Sequence, residues 1–332
     1  MSNKYSHVRG FNYEPSYAST VYESWRQFNA ETWELEFRRG KEYFPGINTM
    51  RLWLDWGAWV QDSERFKKNL DKALELVERI CKAKAVVCLM NRWHNTFLDA
   101  GGLYIDHFMP NWGWVKYSEG KYTPYLKDIV GTFKDDDRIL IWDYCNEPLS
   151  YGLPNEQMKE IEQREFEWLS HIYQVIKEIG PKHDVGTSVH NASGLLSRVE
   201  PIEDVLLIHP YYISKRINDE DYIQNVWHPL LDEYEKVSRE SGKPLLITEC
   251  CWGGGIDWQT RVAIMKQELG EFSKRKIGFL PHALHHSLVA DLHQPEFGPV
   301  SWKQGDTGFP GSMEFIDVNG LLRPGHEVFN EF

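Results

Sequence analysis

No apolar run in this 332-residue chain approaches the ~18 consecutive residues that a membrane-crossing helix needs. The opening MSNKYSHVRG has no basic stretch followed by an apolar one, so it does not read as a secretory leader. Nor is there a dense block of Lys and Arg: 37 basic residues face 49 acidic ones, for a formal net charge of −12. Phosphate backbones and anionic lipid surfaces call for a basic face, so neither nucleic acid nor a membrane is an expected partner. Cysteine is scarce and odd in number: Cys81, Cys88, Cys145, Cys250 and Cys251, with no CxxC pair. That pattern argues against a disulfide framework. It suits free thiols in a reducing compartment, hence an expected cytoplasmic location. No repeat, low-complexity tract or Pro/Ser linker divides the sequence. Length alone allows two domains, but one barrel of ~250 residues plus insertions accounts for it, so a single catalytic domain over 1–332 is the expectation.

Aromatic residues are plentiful at 14%, with 14 Trp. Several stand beside polar residues in expected loops: Trp53, Trp56, Trp59, Trp93, Trp112 and Trp114. Sugar rings offer flat C–H faces to aromatic rings and hydroxyls to polar groups, so such loops fit a carbohydrate pocket. Loops that merely fold back on themselves would look the same.

Short apolar, β-branched runs occur at 8–13, 47–54, 85–90, 138–144, 184–189, 205–209, 244–248 and 277–280. Helical periodicity lies between them. Phe66, Leu70, Ala73, Leu74, Val77, Ile80 and Cys81 recur at i, i+4, i+7 spacing, with Asp62 or Ser63 as cap. Other helices are marked by Met158 to Ile179, stopped at Gly180-Pro181, by Val226 to Val237, and by Val262 to Phe272. Strand–helix alternation with continuously apolar strands predicts a parallel sheet covered on both faces. Eight such units close into a (β/α)8 barrel. A doubly wound open sheet is the rival, but no GxGxxG follows the first strand.

In such a barrel the chemistry sits where strands give way to βα loops. Polar residues collect there: Arg51, Trp53 and Asp55 after the second strand, Asn91, Arg92, Trp93 and His94 after the third, and Asn146 and Glu147 after the fourth. His190 and Asn191 follow the fifth, His209, Tyr211 and Tyr212 the sixth, Glu249 and Trp252 the seventh, and His282, His285 and His286 the eighth. Glycoside hydrolysis needs two carboxyl groups flanking one bond. Glu147 and Glu249 end strands that could face each other across the barrel mouth.

The segment Trp142-Asp143-Tyr144-Cys145-Asn146-Glu147-Pro148 resembles the strand-four Asn-Glu-Pro motif of clan A glycoside hydrolases. Leu246-Ile247-Thr248-Glu249 resembles their strand-seven nucleophile motif. Asn48-Thr49-Met50-Arg51, His94 and His209-Pro210-Tyr211 are similar to the strand-two Arg, strand-three His and strand-six His-x-Tyr of glycoside hydrolase family 5. The stretch from Asp317-Val318-Asn319-Gly320 to Phe329 resembles the closing turn and last helix of exo-acting members. The resemblance implies a retaining β-glycosidase acting on an oligosaccharide or glycoside, with no cofactor and no metal. It implies Glu147 as acid/base, protonated at rest, and Glu249 as ionised nucleophile held by Arg51 and the Tyr211 hydroxyl. Asn146 would bond the sugar 2-hydroxyl, and His94 and His209 would bind hydroxyls or orient the carboxylates. The family usually floors the cleaved sugar with a Trp after strand eight. Here Pro281-His282-Ala283-Leu284-His285-His286-Ser287 has none, so His285, His286 or Trp302 stands as the candidate replacement.

Rival readings are weaker. The group His282, His285, His286 and His293 suggests zinc, but no His-x-His marks the first strand as in many metal-dependent barrel hydrolases. Cys250 and Cys251 read as small packing residues. A non-catalytic carbohydrate-binding barrel would not need the Glu pair. Exo action on short oligosaccharides is expected from the C-terminal resemblance, the lack of a leader and the long 287–312 loop, with an endo-β-glucanase or mannanase as the alternative.

Overall fold

The computed structural model describes residues 3–91, 120–149, 156–212, 216–251, 258–287 and 314–332. His94, Trp252, His293 and Trp302 lie outside them, as do Arg92, Trp93, Trp112, Trp114 and most of the 287–312 loop. Eight parallel strands run in the order of the sequence: β1 Gly10–Tyr13, β2 Thr49–Trp53, β3 Lys84–Cys88, β4 Ile139–Asn146, β5 Asp184–His190, β6 Leu206–His209, β7 Leu245–Ile247 and β8 Gly278–Phe279. Parallel bonding continues from β8 back to β1 through the Arg9↔Phe279 bridge, Phe279 N donating to Val8 O, and Asn12 N donating to Pro281 O. The result is a (β/α)8 barrel.

Alternation along each strand sorts side chains into two compartments. Phe11, Met50, Leu52, Val87, Trp142, Val185, Val189, Leu206, Ile208 and Ile247 face outward into a large apolar layer under the helices. Val86, Ile141, Leu207, Leu246 and Leu280 face inward and fill the barrel floor, with Tyr5 and Val8. The interior is tight: a Cβ on Gly186 would sit 2.4 Å from Val205 O, so only glycine fits at that inward position.

Between the strands lie the helices Ala30–Tyr43, Ser63–Leu76 (continued by Val77–Cys81), Thr123–Phe133, Glu156–Ile179, His228–Ser241 and Trp258–Lys274. The second begins where Asp62 accepts a bond from Arg65 N, satisfying an otherwise orphaned donor. Gly180, at φ +72°, ends the long helix as the sequence leads one to expect. The C-terminal segment packs against the outside of β1, where Phe11 meets Phe315 and Phe329 at ring separations of 4.9 and 4.5 Å. It ends in the 3-10 run His326–Glu331. Among the described residues no helix is long and apolar enough to cross a membrane.

Candidate active site

Above the apolar floor the inward positions change character. Asn12, Arg51, Asp143, Ser188, His209 and Thr248 form a fully buried polar layer. An uncompensated charge cannot survive there, so the layer must satisfy itself. Arg51 is its centre. The Arg51 Nη1 donates to Glu249 Oε1 at 2.5 Å and Asn12 Oδ1 at 2.9 Å. The Nε and Nη2 donate to Asp143 Oδ2 at 3.0 and 2.6 Å. The Nη2 also reaches Asn146 Oδ1 at 2.7 Å and Ser188 Oγ at 3.0 Å. Burial disfavours the guanidinium charge, but Asp143 and Glu249 more than offset this and hold its pKa above the ordinary value. The Trp53 ring lies against the same guanidinium, 4.3 Å away.

The β4 ladder shifts register between Asp143 and Asn146, and this irregularity turns both residues, three apart in sequence, toward Arg51. Immediately after it, Glu147 takes φ +46°, a region that costs a non-glycine residue ~1–3 kcal/mol. The Glu147 N donates to Ser188 O at 2.8 Å, which anchors the strained turn.

Glu147 and Glu249 sit at the mouth, 9% and 5% exposed. A carboxylate oxygen of each and a ring nitrogen of His209 all lie within 4.8 Å of one another. The two carboxyl groups have different surroundings. Glu249 is gripped from two sides, by Arg51 and by the Tyr211 hydroxyl, which donates to Oε2 at 2.5 Å. Burial and then the charge of Glu249 push the Tyr211 phenol well above its ordinary pKa, so it stays a donor. Glu147 Oε1 lies 2.7 Å from His209 Nδ1, and His209 Nε2 is 3.0 Å from Thr248 Oγ1. Burial lowers the His209 pKa to about 4, so the ring is neutral at ordinary pH. With Thr248 Oγ1 donating to Nε2, the Nδ1–H points at Glu147.

Asn146 is oriented at both ends. Its Oδ1 accepts from Arg51, and its Nδ2 donates to Asn91 Oδ1 at 3.0 Å, which leaves a second amide hydrogen on the same nitrogen. His285 is placed elsewhere: its Nε2 is 3.2 Å from Arg39 Nη1, its Nδ1 bonds His286 O, and Glu36 is 3.8 Å away. None of these partners touches the carboxyl pair, because the chain after β8 bridges to Ile316 and carries His285 against the helix Ala30–Tyr43. His282 remains near the mouth, its ring 6.4 Å from that of Trp53. Asp55 caps the short helix Trp56–Gln61.

Among the described residues two groups have metal-sized spacing: Glu147, His209 and Glu249, and Cys250, Cys251 and Glu268. In the first, each carboxyl group already has a protein partner: Glu249 bonds Arg51 and the Tyr211 hydroxyl, and Glu147 lies on the His209 ring. In the second, Glu268 accepts from the backbone N–H of Tyr212 and of Cys251, at 2.7 and 2.6 Å, which accounts for its buried carboxyl without an ion. Asn12, Asp143, Ser188 and Thr248 were not singled out from the sequence. For Asp143 and Thr248 there was a signal: each is a polar residue two positions beyond an apolar inward one, Ile141 and Leu246.

Residues 43–265 match the family described as Cellulase (glycosyl hydrolase family 5). No curated protein matches the chain in sequence. Among solved structures, the chain is similar to an exo-β-1,4-mannosidase, Op5Man5, from Opitutaceae bacterium strain TAV5, at TM-score 0.66 and 15% identity. That match covers 100% of this chain and 61% of the other, so the chain spans about three-fifths of that enzyme. A GH5_18 protein from Streptomyces cattleya, solved with GlcNAc, gives TM-score 0.65 at 12% identity over 98% of this chain and 80% of its own. Bacteroides uniformis β-glucuronidase 2 gives 0.65 at 13% identity over 97% and 34%. At such identities the likeness is one of fold.

Proposed function

The chain belongs to glycosyl hydrolase family 5, the cellulase family, and from that premise we propose that it is a retaining β-glycosidase with Glu147 as acid/base and Glu249 as nucleophile. One observation carries the reading: two carboxyl groups whose oxygens come within 4.8 Å, one gripped by a cation and a phenol, the other set on a neutral histidine. That spacing supports a direct attack, for which carboxyl groups ~5–5.5 Å apart are needed, over the ~6.5–9.5 Å that leaves room for an intervening water.

In the first step Glu249 attacks the anomeric carbon while Glu147 gives its proton to the glycosidic oxygen, whose bond to that carbon breaks. Arg51 and Tyr211 hold Glu249 in place until its charge passes into the ester. The remaining Asn146 amide hydrogen serves the 2-hydroxyl, a bond that tightens as positive charge builds on the ring. In the second step Glu147, now a carboxylate, takes a proton from water, which attacks the same carbon and releases Glu249. Because His209 is neutral, it can hydrogen-bond Glu147 in both charge states without fixing either.

The proposal extends to one catalytic domain over the whole chain and to exo action on short oligosaccharides, the mode named for the Opitutaceae neighbour. The five buried free thiols support a cytoplasmic location. The test is a panel of nitrophenyl β-glycosides on the wild type and on Glu147→Ala. Azide should rescue the variant and yield a β-glycosyl azide. Glu249→Gln should fold normally and lose at least ~10³-fold in turnover. Turnover retained by Glu249→Gln, or an azide product of inverted configuration, refutes the assignment.

A further inference from the structure

We propose that His190, at the end of β5, binds a hydroxyl of the leaving sugar and so sets the preference for the group on the far side of the cleaved bond. The inference rests on the glycosidase reading above. Three observations carry it. First, direction: even-numbered positions of β5 face inward, since Asp184 bonds Tyr5 in the barrel floor and Ser188 bonds Arg51 and Asp143 in the polar layer. His190, two residues beyond Ser188, therefore rises on the same side into the mouth. Second, position: His190 is the register partner of His209, the residue that holds Glu147, and is close enough to oppose protonation of that ring. Third, valence: the His190 Nε2 is enclosed yet has no hydrogen-bond partner among the described residues. Leaving such a group unpaired costs ~1–3 kcal/mol, whereas the inward polar side chains below it are all bonded to one another.

Which side of the substrate His190 meets follows from the chemistry. The acid must stand beside the glycosidic oxygen, and so beside the departing sugar. Glu147 comes from β4 and its support from β6, with His190 on the strand between them. The nucleophile comes from β7, two strands from His190 and beyond β6, whereas Glu147 follows the neighbouring β4; Arg51 comes from β2. A donor or acceptor next to the acid therefore reads the departing sugar, and an imidazole can serve a hydroxyl in either sense.

The experiment compares two substrates of one enzyme: the 4-nitrophenyl β-glycoside that the wild type cleaves fastest, and the β-1,4-linked disaccharide of the same sugar. The aryl leaving group has no hydroxyl to offer. His190→Ala should lose about tenfold in kcat/KM on the disaccharide and less than about twofold on the aryl glycoside, with an unchanged melting temperature. His190→Gln, which keeps a donor, should recover most of the disaccharide activity. Equal losses on both substrates, or none on the disaccharide, overturn the inference while leaving the glycosidase reading intact. A wild type that cleaves neither substrate refutes that reading, and the inference with it.

Discussion

Arg51→Lys tests whether the guanidinium acts as a fork or only as a charge. Lysine retains the positive charge but offers three N–H donors from one point, against five in a rigid plane. In the wild type all five are in use: Nε on Asp143, Nη1 on Asn12 and Glu249, Nη2 on Asp143, Asn146 and Ser188. An ammonium that keeps Asp143 has two donors left for four other partners and must release two of them; Glu249 and Asn146 are the two that would meet substrate. A hydrogen bond to a charged group contributes about 1.5–3 kcal/mol, and two such bonds are at stake between binding and folding. If half of that loss falls on the transition state, kcat/KM drops roughly 10–150-fold. The remainder appears as lost stability, and a few kcal/mol in a protein of this size lowers the melting temperature by several degrees. Initial rates on the best nitrophenyl glycoside and a thermal melt separate the two effects. A folded Arg51→Lys enzyme with more than a third of wild-type kcat/KM would refute the fork argument, since charge alone would then suffice.

Tyr211→Phe removes a 2.5 Å bond to the nucleophile and should cost roughly 10–100-fold in kcat/KM with little change in stability; an unchanged rate would show that Arg51 alone positions Glu249. Glu203 is buried, accepts only Thr187 N among the described residues, at 2.9 Å, and is pushed well above the usual carboxylate range by burial. Folded Glu203 therefore keeps a proton that the unfolded chain releases above about pH 4.3, so stability falls as pH rises from there. Glu203→Gln keeps the acceptor and does not titrate, so it should be near neutral in melts at pH 4.5 and stabilising at pH 8; equal destabilisation at both would refute the linkage. EDTA treatment and desalting should leave turnover intact, because the guanidinium already fills the cationic role beside Glu249; loss of activity restored by a divalent ion would overturn that.

The strands were legible because a β-strand covered on both faces is written as an uninterrupted apolar run. Their ends were less so. The run after β4 fades at Tyr144, yet the strand continues to Asn146, since its last residues face a polar layer and a register shift, not an apolar floor. The β5 run reads to Val189, but His190 still pairs with His209. The helix Ala30–Tyr43 carried no clear period because Glu36 and Gly40 share its buried face with Trp33 and Phe37, and Glu36 is accommodated by Tyr13 and Ser16. In the site, Glu147, Glu249, Arg51, Asn146, His209 and Tyr211 could be named from motifs. Their supports could not, because a Thr or Ser inside a strand has many uses, and only the closed barrel brings Thr248 to His209 and Ser188 to Arg51. His285 illustrates the reverse: its place after the last strand suggests the mouth, but the bridge to Ile316 takes the chain outward.

The polar layer gives two identical side chains different surroundings. Glu249 shares the Arg51 guanidinium with Asp143. Glu147 instead sets an oxygen on His209, a ring whose charge burial suppresses. A protonated His209 would stand as a second cation beside the carboxyl group that the proposed first step uses as its acid. In the proposed mechanism, formation of the glycosyl ester would take up the charge of Glu249 before Glu147 acts as base. On that reading the alternation of roles draws on the unequal surroundings of the two carboxyl groups and on the burial of one imidazole.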